Sequence, residues 1–204
     1  MADVGRAARP RRRGGSPLIE ALLVSTGIVA LAEIGDKTQL LTLVLAARYK
    51  KPWPIVAGIF VATLVNHAIA GAVGAWLTKA VGPEVMRWIL GVSFIAMAAW
   101  MLVPDKLDDD DAAERKVGGV FVTTTLLFFF VEIGDKTQIA TVALAARFPS
   151  LVAVVMGTTI GMILANAPVA FFGEALARRL PVRTVHVIAA LVFAALGVGV
   201  LVLG

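Results

Sequence analysis

Apolar residues fill this chain in six long blocks, rather than in the alternation of strands or the one-sided stripes of soluble helices. The blocks predict helices near 18–47, 54–78, 85–103, 118–147, 150–176 and 183–203. Each is close to or above the roughly 20 residues that carry a helix across a bilayer. Pro52, Pro54, Pro83, Pro104, Pro149 and Pro181 fall between blocks, where a missing N–H costs no helical hydrogen bond. Trp53, Trp76, Trp88 and Trp100 sit near block ends, as an aromatic belt would place them. Polar residues gather in two places outside the blocks. Residues 1–16, with Arg6, Arg9, Arg11, Arg12 and Arg13, read as a disordered basic tail, and residues 104–117, with Asp108 to Asp111, as an acidic linker or a cation-attracting vestibule.

Inside two blocks the apolar pattern fails in the same way. Glu33-Ile34-Gly35-Asp36-Lys37-Thr38-Gln39 recurs 99 residues later as Glu132-Ile133-Gly134-Asp135-Lys136-Thr137-Gln138. Aligned from Ala32 to Tyr49 and from Val131 to Phe148, the copies match at 12 of 18 positions. Gly58 and Gly157, and Gly74 and Gly173, keep the same offset. The chain therefore divides into repeats at 17–103 and 118–204, each with three predicted helices. Three is odd, so the second repeat enters the membrane in the opposite sense. The expected fold is an all-α integral membrane protein, six transmembrane helices arranged as two inverted three-helix repeats.

Composition agrees: 59% of residues are hydrophobic and 16% charged, against about a quarter charged in soluble domains. The absence of cysteine excludes disulfides, thiolate metal sites and cysteine nucleophiles. Two histidines, His67 and His186, make a histidine-built zinc or copper site unfavourable. The net charge of +5 resides mostly in the tail, which flanks a membrane helix and is not read as a nucleic-acid site. Loop cations divide nine against eight between the two sides, so charge does not set the orientation.

Charge inside the blocks is expensive. Glu33, Asp36, Lys37 and their copies would cost roughly 15–20 kcal/mol if left unpaired at helix centres. Buried ionisable groups in spans face a bundle interior or cavity and mark ion pathways. A structural alternative is neutralisation within one helix, Glu33 with Lys37 at i,i+4. Four carboxylates against two ammonium groups still leave a charge of −2, suited to a divalent cation. The run from Leu18 to Ala47 is about 45 Å of straight helix for a core of about 30 Å. It must tilt or break, and Gly35 and Gly134 are the natural hinges. A break would free backbone carbonyls and turn Thr38 and Thr137 inward, beside Gln39 and Gln138. Carboxylates, hydroxyls, amides and carbonyls are hard donors that suit Ca²⁺ or Mn²⁺ over Zn²⁺ or Cu⁺. A group that holds either a cation or protons is the minimal antiporter.

The doubled Glu-x-Gly-Asp-Lys/Arg-Thr/Ser motif in a chain of this length resembles the Gdt-type cation/proton exchanger family. Its members include Golgi calcium/manganese transporters, chloroplast manganese transporters and bacterial manganese exporters. Glu33, Gly35, Asp36, Lys37 and Thr38 match the first motif; Glu132, Gly134, Asp135, Lys136 and Thr137 match the second. The resemblance implies export of Mn²⁺ or Ca²⁺ as the transported substrate against protons, with no cofactor and no enzymatic activity. It implies Glu33, Asp36, Glu132 and Asp135 as metal ligands and a cytosolic central loop.

Thr63, Asn66, His67, Thr159 and Asn166 are further cavity candidates, with interhelical hydrogen bonding as their alternative role. His67 aligns with Asn166 at the fixed offset, which weakens it as a proton relay. His186 is expected at the interface. Arg48 and Arg147 read as interface anchors, Glu174 and Arg178 as a surface pair, and the third and sixth blocks as lipid-facing supports. Competing readings are an exporter of small organic solutes, a membrane enzyme, or a non-transport subunit. Composition and the short leading segment suggest a bacterial inner membrane; oligomeric state is not legible.

Overall fold

Among the described residues helices fill the apolar blocks, and proline or a serine cap accounts for the start of four of them. The computed structural model describes residues 16–103, 118–173 and 181–203. Nearly all of the expected tail, the acidic linker and the Glu174–Arg178 pair lie outside them. Among the described residues the fold is all-helical, with α1 (Pro17–Glu33), α2 (Lys37–Tyr49), α3 (Pro52–Ala80), α4 (Pro83–Trp100), α5 (Val120–Val131), α6 (Lys136–Arg147), α7 (Leu151–Phe172) and α8 (Val182–Leu203). Proline, with its helical φ and missing N–H, opens α1, α3 and α4. Ser16 and Ser150 accept backbone N–H groups in the first turns of α1 and α7.

The first and fourth blocks are each two helices. α1 stops at Glu33, α2 starts at Lys37, and their axes bend by 69°. In the second copy α5 stops at Val131 and α6 starts at Lys136. Gly35 (φ +83°) and Gly134 (φ +77°) take the left-handed backbone at the interruptions, where a Cβ would cost about 1–2 kcal/mol.

Packing crosses between the copies. α1 and α2 lie on α7, α5 and α6 lie on α3, α3 meets α7, and α4 meets α8. Exchanging the copies maps these pairs onto one another. The correspondence reaches single residues. A Cβ on Gly58 would lie 2.8 Å from Thr124 Cβ and 2.9 Å from the Phe121 carbonyl oxygen. A Cβ on Gly157 would lie 3.0 Å from Ser25 Cβ and 2.5 Å from the Leu22 carbonyl oxygen. These partners are again 99 residues apart. Small residues at such crossings let helix backbones approach, as is common in membranes. Gly58→Val and Gly157→Val are each expected to cost about 1–3 kcal/mol by overpacking. Thermal unfolding in detergent checks this, and unchanged midpoints would show that the close crossings are dispensable.

Length and hydropathy mark fewer spans than six. α3, α7 and α8 are long and apolar enough to cross a membrane, and the bent α1–α2 pair makes a fourth. α4 has 18 residues and carries Glu84 and Arg87 near its start, while α5 has only 12. The breaks and these charges subdivide blocks that read as continuous in sequence. Trp53, Trp76, Trp88 and Trp100 are all exposed, with many apolar side chains on the outer faces of α4 and α8.

Candidate functional site

Each break places its acids at helix ends. Glu33 and Glu132 come at the C-terminal ends of α1 and α5, where a helix dipole disfavours negative charge. Asp36 and Asp135 are the N-caps of α2 and α6, a favourable position, yet neither side chain makes the usual capping bond. Their carboxylates point elsewhere. The backbone is satisfied instead by the glutamines, as Gly35 N–H donates to Gln39 Oε1 (2.9 Å) and Gly134 N–H to Gln138 Oε1 (2.8 Å). Gln39 and Gln138, expected as possible metal ligands, thus spend their amide oxygens holding the breaks.

The acids of the two copies meet. One carboxylate oxygen each from Glu33, Asp36 and Asp135 lies within 4.8 Å of the others, and all three residues are buried. Oxygens about 2.3–2.6 Å from one cation span no more than about 5 Å, so this trio can hold a divalent ion. Glu132 is not in the trio. Its carboxylate accepts from Thr63 Oγ1 (2.9 Å) and Asn66 Nδ2 (3.0 Å) of α3. Glu33 has similar support: Oε2 accepts from Thr38 Oγ1 and from Asn166 Nδ2 of α7 (3.4 Å). Glu33 Oε1 is buried with no hydrogen-bond partner among the described residues, an acceptor available to a cation.

The lysines pair across the copies rather than within them. Lys37 Nζ lies 3.9 Å from Asp135 Oδ1, and Lys136 Nζ lies 3.9 Å from Asp36 Oδ1. This replaces the expected Glu33–Lys37 pair within one helix. Because the helix breaks between Glu33 and Lys37, the i,i+4 geometry that the pairing needed does not exist. Lys136 is the more enclosed, donating to the Val103 carbonyl (3.2 Å) and lying 5.9 Å from the Trp100 ring centroid.

Several secondary expectations change. Asn66, not His67, is the working counterpart of Asn166: each asparagine donates to the glutamate of the opposite copy. The fixed 99-residue offset misses this by one position. His67 is completely buried with neither ring nitrogen hydrogen-bonded. Thr137 Oγ1 donates to its own Asp135 Oδ2 (3.4 Å), and the same side chain lies beside Glu33 of the first copy. His186, expected at the interface, is buried and its Nε2 lies 2.7 Å from the Ile34 carbonyl oxygen, in the first break. Arg48 and Arg147 are exposed.

The whole chain is similar to known transport proteins. The model of a family described as "Divalent cation/proton antiporter GDT1" matches residues 21–109 and 120–204. A protein of Vibrio cholerae serotype O1 bearing the name "Putative manganese exporter" is 46% identical over 177 residues, covering 86% of this chain and 88% of its own length. No solved structure matches the chain.

Proposed function

Because the chain belongs to the divalent cation/proton antiporter family GDT1, we propose that it exports Mn²⁺ in exchange for protons, with Ca²⁺ as a second substrate. The observation that carries this reading is the convergence of Glu33, Asp36 and Asp135 from two repeats. A fully ionised trio with Lys37 and Lys136 has a charge of −1, and Glu132 beside it brings −2. A divalent ion balances that. The hard oxygen donors suit Mn²⁺ and Ca²⁺ alike, and the relative that bears the name "Putative manganese exporter" favours Mn²⁺.

In this mechanism the carboxylates hold either the metal or protons, never both, which couples the two fluxes. The lysines act as internal competitors. At 3.9 Å their pairs with Asp135 and Asp36 are loose enough for a metal to displace. Thr63, Asn66, Thr38 and Asn166 orient the two glutamates. The exchange-symmetric packing supports six spans as two inverted repeats, the broken pairs α1–α2 and α5–α6 each counting as one. In such a plan the site lies near the midplane where the repeats meet, and access alternates by rocking one part against another. Glu132, held by α3 in this structure, joins the metal in another state. A bacterial inner membrane with the central loop in the cytosol fits export.

Purified protein in liposomes tests the function. Mn²⁺ movement should appear together with opposed proton movement, and collapse of a proton gradient should follow addition of Mn²⁺. Flux no greater than in empty liposomes, or Mn²⁺ flux with no proton movement, would overturn the antiporter.

A further inference from the structure

Two motifs with the same seven-residue sequence should have the same surroundings if the molecule were symmetric. They do not. At the first break, the Ile34 carbonyl is released from helical bonding and takes the His186 Nε2–H at 2.7 Å. A carbonyl only accepts, so this nitrogen carries the proton. His186 is 8% exposed. One turn earlier, the Val182 side chain occupies the space that a Cβ on Gly35 would fill. The first turn of α8 therefore sits on the first break through a polar and an apolar contact.

Among the described residues nothing lies within 4 Å of a Cβ on Gly134, and Ile133 is 54% exposed. The residues 99 before Val182 and His186 are Pro83 and Arg87, in the first turns of α4. The register is sound, because Phe94 and Phe193, also 99 apart, meet with ring centroids 6.2 Å apart. Arg87 instead pairs with Glu84 at 2.7 Å and lies over the Trp88 ring. The lysines are also unequal, Lys37 being 23% exposed and Lys136 1%.

We infer that His186 is a positioning residue that closes the first break through the Ile34 carbonyl, together with the Val182 contact on Gly35. The closed carbonyl adjoins Glu33, so its release also frees a backbone oxygen beside the acid trio. The transport arm of this proposal rests on the antiporter reading; the closure itself does not.

The cysteine-free chain makes the test clean. Single Ile34→Cys and Ile133→Cys variants, in detergent, are exposed to a bulky hydrophilic maleimide. Ile133→Cys should react at least tenfold faster than Ile34→Cys. Adding His186→Ala should raise the Ile34→Cys rate towards that of Ile133→Cys, while His186→Gln, whose amide can still donate, should keep it low. Hydrogen exchange in the peptide around Ile34 of His186→Ala, without any cysteine, gives a second measurement should Ile34→Cys fail to fold; it should quicken. Equal reactivity of the two cysteines, or exchange unchanged by His186→Ala, would overturn the closure. In liposomes, His186→Ala should lower maximal Mn²⁺ flux more than it changes the KM. A gate that behaves as described in a protein with no Mn²⁺ flux would leave the closure standing and remove the antiporter.

Discussion

Asp135→Asn and Glu33→Gln are each expected to lower Mn²⁺ flux on the order of 100-fold or more. Losing a partner that merely orients a metal ligand already costs 10–100-fold in affinity or activity, and these two residues would touch the metal directly. Both substitutions keep shape and hydrogen-bonding capacity, so folding should survive. What they remove is charge. In Asp135→Asn the acid trio loses one of three carboxylates and Lys37 loses its counter-ion. In Glu33→Gln the site loses an acid whose second oxygen is buried without a hydrogen-bond partner among the described residues. Proton movement should fall with metal movement, because the same groups carry both. Flux and proton uptake by the variants in liposomes, after a check of monodispersity, decide this. Near-native Mn²⁺ flux through either variant would remove that residue from the site.

Much of this arrangement was legible in the sequence. The doubled motif gave the repeat, the 30-residue run was too long to stay straight, and glycine at its centre marked where it turns. Four acids against two lysines pointed to a site for a divalent cation. Other features were hidden for identifiable reasons. Cross-pairing of Lys37 with Asp135 and Lys136 with Asp36 depends on which helices face each other, and a periodicity argument within one helix returns the wrong partner. Gln39 and Gln138 look like ligands until the break exists; their i,i+4 spacing from Gly35 and Gly134 was the available signal that they cap it. Asn166 was paired with His67 because a constant offset selects a position and not the side chain that reaches the opposite glutamate, which is Asn66 one residue earlier. His186 lies in a turn-sized segment at the start of an apolar helix, where nothing local says that it reaches a break 152 residues away. The span count differs because α4 begins with Glu84 and Arg87 and because the fourth block is cut at Gly134 into helices too short to count alone.

Lys136→Met should be the most destabilising change at the site, by about 3–5 kcal/mol, the cost of leaving one member of a buried ion pair without the other. Lys136 and Asp36 are each 1% exposed, so water cannot replace the lost ammonium group. Asp36 would then face Glu33 and Asp135 with one positive charge fewer among them. The Val103 carbonyl would lose its donor as well. Lys37→Met removes the equivalent residue of the first copy, but Lys37 is 23% exposed and should cost clearly less. The double variant Lys136→Met with Asp36→Asn separates stability from function. Removing both charges avoids an uncompensated ion, so much of the folding stability should return. Mn²⁺ flux should not, because one of the three converging acids has gone. Thermal unfolding in detergent and flux in liposomes read the two effects independently. Equal midpoints for Lys136→Met and Lys37→Met would show that the enclosed pair is no more important than the exposed one, and with it would go the view that the two breaks are held in different states.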